Sequence, residues 1–305
     1  MRGGKARRRP GTTTTTAPRV LVALARSYAD IAPLHHLKYI SYTASDGKMI
    51  PAYLGVPEGE GPWPTVLLPH GGPYARDTDA FDPWAELLLD RGYAVLKPNF
   101  RGSAGYGDAF MAAGFEQWGA RMQQDVMDGL DWMIEQGIAD PARSCVVGGS
   151  YGGYVALTAA FQAPERIRCA AAFAPVTDLK ELATRERDFM FGRMNSARVQ
   201  SDPAAQRSHS PLHQIDRIGV PILLMHGKLD RNVMFEQSKD FAKAMTRADK
   251  PGEFVIQETG DHFLSRTSHR IQWFEALDQF LADHLGGTPR RSNALIHGCA
   301  GFALK

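Results

Sequence analysis

Cysteine is scarce: the chain has three in 305 residues, Cys145, Cys169 and Cys299. An odd, widely spaced set with no Cys-x-x-Cys pair argues against a disulfide framework and against a structural zinc site. Cys145 and Cys169 fall in apolar runs, which predicts core positions and is compatible with a reducing compartment; the expected location is cytoplasmic. An excess of one charge is also lacking. Net charge is +2, so no nucleic acid is expected as a partner. No apolar stretch approaches the roughly 20 residues that span a bilayer, so no membrane association is expected. The run Val20–Ala25 is short and bracketed by Arg19 and Arg26, unlike a signal peptide. There is no His-Glu-x-x-His and no cluster at metal-ligand spacing. The glycines from Gly102 to Gly107 lack the Gly-Lys-Ser/Thr ending of a phosphate loop. Neither a metal nor a cofactor is expected.

What the chain has is apolar content: 44% of residues, enough for one large core. Residues 1–37, with Arg7-Arg8-Arg9 and five threonines at Thr12 to Thr16, read as a low-complexity tail, and residues 287–305 as a second tail. Between them, residues 38–286 alternate strand-like and helix-like runs. Two strands around Ser45-Asp46-Gly47 predict a hairpin, with Pro51 placing part of it on an edge. Strands follow at Trp63–Leu68, Tyr93–Lys97, Cys145–Val147, Cys169–Phe173, Pro221–Met225 and Glu253–Ile256. Phe115, Trp118, Met122, Val126, Leu130 and Met133 recur at three- and four-residue steps and predict one long helix packed on a sheet. Residues 176–215 are polar and irregular, the one candidate insertion over the strand ends. Such alternation predicts an α/β fold with a mostly parallel central sheet covered by helices on both faces.

The chain is organised around Gly148-Gly149-Ser150-Tyr151-Gly152, a Gly-x-Ser-x-Gly motif between a predicted strand and a predicted helix. Alone the motif is a weak signal, since a glycine-rich turn has no need of chemistry. Strand, tight turn and helix are the context that exposes the serine hydroxyl above a sheet. A serine hydroxyl is a poor nucleophile at neutral pH and needs a base, itself oriented by an acid. In this fold both come from loops after later strands, in the chain order Ser, Asp, His. Asp230, shortly after the strand Pro221–Met225, is the acid candidate; its bland reading is a turn aspartate or helix cap. Asp216 precedes that strand and lies at its wrong end. His262, just after Glu253–Ile256, is the base candidate; its bland reading is a solvated loop histidine. Asp261 adjoins it, too close in sequence to face it productively. A structural role is expected for His226, and for His70 that of holding the loop beside Gly71-Gly72. The backbone N–H groups of Tyr151 and Gly72 are the candidate donors to an oxyanion.

Taken together, His70-Gly71-Gly72-Pro73, the run Asn99–Gly107, Gly148–Tyr154, Ser210-Pro211-Leu212, His226–Asp230 and Gly260-Asp261-His262 resemble the catalytic domain of the prolyl oligopeptidase family, in its acylaminoacyl-peptidase and dipeptidyl-peptidase-like branch. The resemblance covers roughly residues 38 to 285. It implies the hydrolase fold, serine hydrolysis of short peptides, the triad Ser150, Asp230 and His262, and the oxyanion donors Gly72 and Tyr151. Family members carry a β-propeller before this domain. Too little chain precedes Ile40 to build blades of about 40 residues each, so a fragment or a compact form without that filter is expected.

The expected function is therefore a serine hydrolase cleaving short peptides or acyl-amino acids through an acyl-enzyme. A carboxylesterase acting on small esters is the alternative, and a catalytically inert hydrolase-fold binding protein the alternative of another class. Phe189, Met190 and Phe191, in the irregular segment, are candidates to roof the acyl pocket or to pack within an ordinary helix. The only partner expected is a small peptide or ester substrate.

Overall fold

The computed structural model describes residues 35–186 and 198–286. Most of the predicted N-terminal tail, the C-terminal tail with Cys299, and Phe189, Met190 and Phe191 lie outside the described residues.

Eight strands form one sheet: β1 (Lys38–Thr43), β2 (Met49–Gly55), β3 (Trp63–Leu67), β4 (Ala94–Pro98), β5 (Ala139–Gly149), β6 (Cys169–Phe173), β7 (Ile222–Gly227) and β8 (Gly252–Gln257). Their spatial order is β1-β2-β4-β3-β5-β6-β7-β8. The first three strands in that order pair antiparallel, the rest parallel. The helices are α1 (Pro83–Asp90), α2 (Asp108–Ala112), α3 (Arg121–Glu135), α4 (Tyr151–Gln162), α5 (Leu179–Glu186), α6 (Pro203–Ser208), α7 (Phe235–Arg247) and α8 (Thr267–Leu285). Among the described residues no helix is long and apolar enough to cross a membrane.

The central strands read as unbroken apolar runs because both of their faces are buried. Val66, Val95, Val147 and Leu223 point to a core shared with α1 and α8, where Leu88, Trp273 and Leu281 pack. Their neighbours Leu67, Leu96, Val146 and Leu224 point the other way, to Met122, Val126, Leu130 and Leu157 on α3 and α4. This period-two alternation is what holds the register of the sheet.

The β1–β2 hairpin does lie partly on an edge: β1 is the edge strand, while Pro51 is on β2, between β1 and β4. The β2–β4 ladder begins only at Ala52, and the Pro51 carbonyl accepts from Asn99 N at 2.8 Å, so the missing N–H falls at the ladder's end. The long helix starts at Arg121 rather than near Phe115, because Gly119 turns the chain at φ 71°. Finally, Cys145 and Cys169 are joined in a disulfide. They are direct register partners on β5 and β6, with Cα atoms 4.9 Å apart, within the span a disulfide bridges. Disulfides persist in oxidising compartments, so cysteine usage no longer supports a cytoplasmic location.

The chain reverses its direction of growth at β3, which has β4 on one side and β5 on the other. The crevice outside the carboxyl ends of strands at such a reversal is where α/β sheets bind ligands. His70-Gly71-Gly72 follows β3 there, and Ser150 follows β5.

Candidate active site

Ser150 occupies the turn between β5 and α4 with φ 58° and ψ −119°, a conformation that side-chain-bearing residues rarely adopt. The turn is closed by Ser150 N donating to Phe173 O at 2.8 Å and by Tyr154 N donating to Ser150 O at 3.0 Å. Its sharpness explains the flanking glycines. A Cβ on Gly148 would overlap the backbone of Gly152, and one on Gly152 would overlap the Pro69 carbonyl.

The loop after β3 lies against this turn. A Cβ on Gly71 would sit 3.6 Å from the Ser150 Cβ. Gly72 has φ 124°, and a Cβ there would meet the Tyr74 and Ala75 nitrogens at 2.9 Å, so the position excludes other residues. His70 fixes the loop from below. Its Nδ1 lies 2.7 Å from Gly71 O, its Nε2 lies 2.8 Å from Ser103 Oγ, and its ring stacks on Phe100. Burial pushes the imidazole down to about 4, so it carries no charge at neutral pH. Tyr151 opens α4, and its N–H is among the helix-start donors without an intrahelical acceptor.

Asp230 and His262 come together from the loops after β7 and β8. His262 Nδ1 donates to Asp230 Oδ2 at 2.6 Å. The other carboxylate oxygen accepts the N–H groups of Asn232 and Val233 at 2.8 and 3.0 Å. The aspartate is 4% exposed. Burial pushes its carboxyl up, but the hydrogen bonds from His226 and His262 outweigh this and hold it well below the usual carboxylate range. Asp261 is turned away, accepting the N–H groups of Phe263 and Ser265. Asp216 lies in a short turn before β7.

Ser150, Tyr151, Gly72 and His262 line one cavity of about 250 Å³. Among the described residues the Ser150 hydroxyl and His262 Nε2 are not hydrogen-bonded to each other; serine–histidine pairs are often loose until substrate arrives. The remaining wall is apolar and aromatic, from Tyr74, Trp118, Val176, Leu182 and Val199. Trp118, one of the residues that the helical stripe assigned to sheet packing, is thus a wall of the site. A second cavity of about 260 Å³ lies behind the His70–Gly71 loop, lined by Asp77, Asp82, Trp84 and Lys97. Among the described residues no group of three His, Cys, Asp or Glu side chains is placed to hold a metal ion.

His226, for which a structural role is expected, reaches Asp230. Ser103, to which the sequence reading gave no role, reaches His70.

The chain is similar to known proteins in sequence and in fold. The profile of the prolyl oligopeptidase family matches residues 80–288. The chain is 31% identical over 264 residues to dipeptidyl aminopeptidase BIII of Pseudoxanthomonas mexicana, covering 81% of this chain and 38% of that one. It is 27% identical over 256 residues to the human acylamino-acid-releasing enzyme, covering 81% and 35%. Among solved structures, a puromycin-hydrolyzing peptidase of Mycobacterium tuberculosis superposes with a TM-score of 0.78 at 29% identity, over 84% of this chain and 40% of the other. The chain therefore spans less than half the length of each of these relatives.

Proposed function

Because the chain belongs to the prolyl oligopeptidase family, we propose that it is a serine hydrolase cleaving short peptides or acyl-amino acids through an acyl-enzyme. Ser150 Oγ attacks the substrate carbonyl carbon, and its proton passes to His262 Nε2. The N–H groups of Gly72 and Tyr151 stabilise the tetrahedral oxyanion. Collapse breaks the scissile bond, and the leaving amine takes the proton from His262. Water then attacks the acyl-enzyme with His262 again accepting a proton, and Ser150 is released. Asp230 keeps the Nδ1–H tautomer of His262, leaving Nε2 free to accept.

The observation that carries this reading is the 2.6 Å bond from His262 Nδ1 to Asp230 Oδ2, made by an imidazole lining the same cavity as Ser150. The printed names of the relatives, a dipeptidyl aminopeptidase, an acylamino-acid-releasing enzyme and a puromycin-hydrolyzing peptidase, support amide substrates. The wall of Trp118, Val176, Leu182 and Val199 supports an apolar side chain on the acyl residue.

A fluorophosphonate probe should label the protein, and Ser150→Ala should abolish both labelling and turnover. Unchanged turnover in Ser150→Ala overturns the reading, and an inert protein with no labelling favours a binding role. Activity should fall on the acid side, since only unprotonated imidazole accepts a proton; a flat profile from about pH 5 to 9 argues against His262. Turnover of an apolar aminoacyl anilide against a short-chain nitrophenyl ester separates peptidase from esterase. A preference for the ester by several orders of magnitude favours the carboxylesterase.

A further inference from the structure

The last strand before Asp230 carries, next to its final residue, a histidine with no contact to solvent: His226 is 0% exposed. Its two ring nitrogens are fully engaged. Nε2 lies 3.0 Å from the Val233 carbonyl and 3.1 Å from Asp230 Oδ2, and Nδ1 lies 2.7 Å from Ser238 Oγ on α7. A carbonyl oxygen can only accept. Nε2 is therefore the nitrogen that carries the hydrogen, and the Ser238 hydroxyl donates to Nδ1. One N–H is shared between the carbonyl and the carboxylate.

Asp230 consequently has four donors on two oxygens. Oδ1 takes the N–H groups of Asn232 and Val233; Oδ2 takes His262 on one side and His226 on the other. Without His226, Oδ2 would be held only by the base it is meant to orient. A purely space-filling role would be met by an apolar side chain, and the ring also meets Phe235 edge-on at 5.8 Å.

We propose that His226 is a positioning residue: through Nε2–H it fixes Asp230 Oδ2 toward His262 Nδ1 and draws off part of the carboxylate charge, and Ser238 sets the tautomer that makes this possible. The inference rests on the reading of Ser150, His262 and Asp230 given above. The rings hydrogen-bonded to Asp230 are those of His262 and His226. Of the other groups around the pair, Asp261 in the β8–α8 loop is engaged with backbone amides, and α7 presents the uncharged Ser238 and Phe235.

Loss of the His226 donor leaves more carboxylate charge facing His262. This favours the protonated imidazole and moves the acid limb of the rate profile to higher pH. The test uses the full chain and a nitrophenyl ester of an apolar amino acid. His226→Phe should lower kcat about tenfold or more with KM within about twofold, and displace the acid limb upward. His226→Gln, which retains an amide donor, should restore most of kcat. Ser238→Ala, a gentler change should His226→Phe not fold, should move the limb in the same direction with a smaller loss of kcat. Folded His226 and Ser238 variants with wild-type kcat and an unmoved limb overturn the proposal, even if their melting temperatures fall. His262→Ala is run beside them. If it keeps full turnover, the triad reading falls; if it abolishes turnover while the His226 and Ser238 variants behave as wild type, only the role of His226 falls.

Discussion

Two aspartates, one buried and one half-buried, show how donors decide the state of a carboxyl. Asp230 has a donor on every side and is held below the usual range. Asp77 makes an ion pair with Lys97 through Oδ1 at 3.1 Å, but its buried Oδ2 has no hydrogen-bond partner. Burial pushes the Asp77 carboxyl up from 3.8 to about 6, and the opposing pull of Lys97 does not cancel this. The signs of their pH effects differ. For Asp77, stability is fully present below about pH 4, where both states are protonated, and is lost as pH rises to about 6. For Asp230, stability is present above about pH 4 and is lost as pH falls further. Urea titrations across pH should show the first loss flattened in Asp77→Asn and the second flattened in Asp230→Asn. Identical curves for both variants and the wild type overturn the assignment. The candidate triad could be picked out by residue number because each member follows a strand whose apolar run is plain in the sequence. The environment of each carboxyl could not, since it depends on donors from distant turns such as Lys97, reaching Asp77 from the end of β4.

At the scale of elements, the segment after β4 braces the loop after β3. Arg101 donates to both oxygens of Asp125 on α3 at 2.6 and 2.8 Å and to Asp46 in the β1–β2 turn at 2.7 and 3.0 Å. Asp125 is fully buried. Two residues on, Ser103 holds His70, and Ala104 N donates to Ala75 O at 2.8 Å. Asp125→Ala strands a buried guanidinium beside Asp46 alone, and is expected to cost about 3–5 kcal/mol in urea unfolding. A loss below about 1 kcal/mol would mean that the clamp contributes little. The parallel strands were legible because burial on both faces writes them as continuous apolar runs. The start of α3 was not. Phe115 and Trp118 keep the helical spacing, but a positive φ at Gly119 detaches them from the helix; Trp118 lines the candidate site and Phe115 packs edge-on against Tyr74. Their apolar character is the same in either role, so spacing alone could not separate them.

Across the whole molecule, the disulfide ties β5, which carries Ser150, to its neighbour β6 in the middle of the sheet. It closes a span of 24 residues, worth about 3 kcal/mol against the unfolded chain. Thiol titration of denatured, unreduced protein should leave Cys145 and Cys169 unreactive, and both should react after reduction. Reaction of both before reduction would overturn the bond. The pairing was hidden in the sequence because it depends on register between two parallel strands, which nothing local encodes. The backbone at Ser150 has a consequence of the same reach. A left-handed φ on a residue with a Cβ costs roughly 1–3 kcal/mol, and glycine would relax it at a smaller entropic charge on the unfolded chain. Ser150→Gly should therefore yield a chemically silent protein that melts higher than its parent. If Ser150 is the nucleophile proposed above, its unfavourable pose is a trade-off in which robustness is surrendered for reactivity.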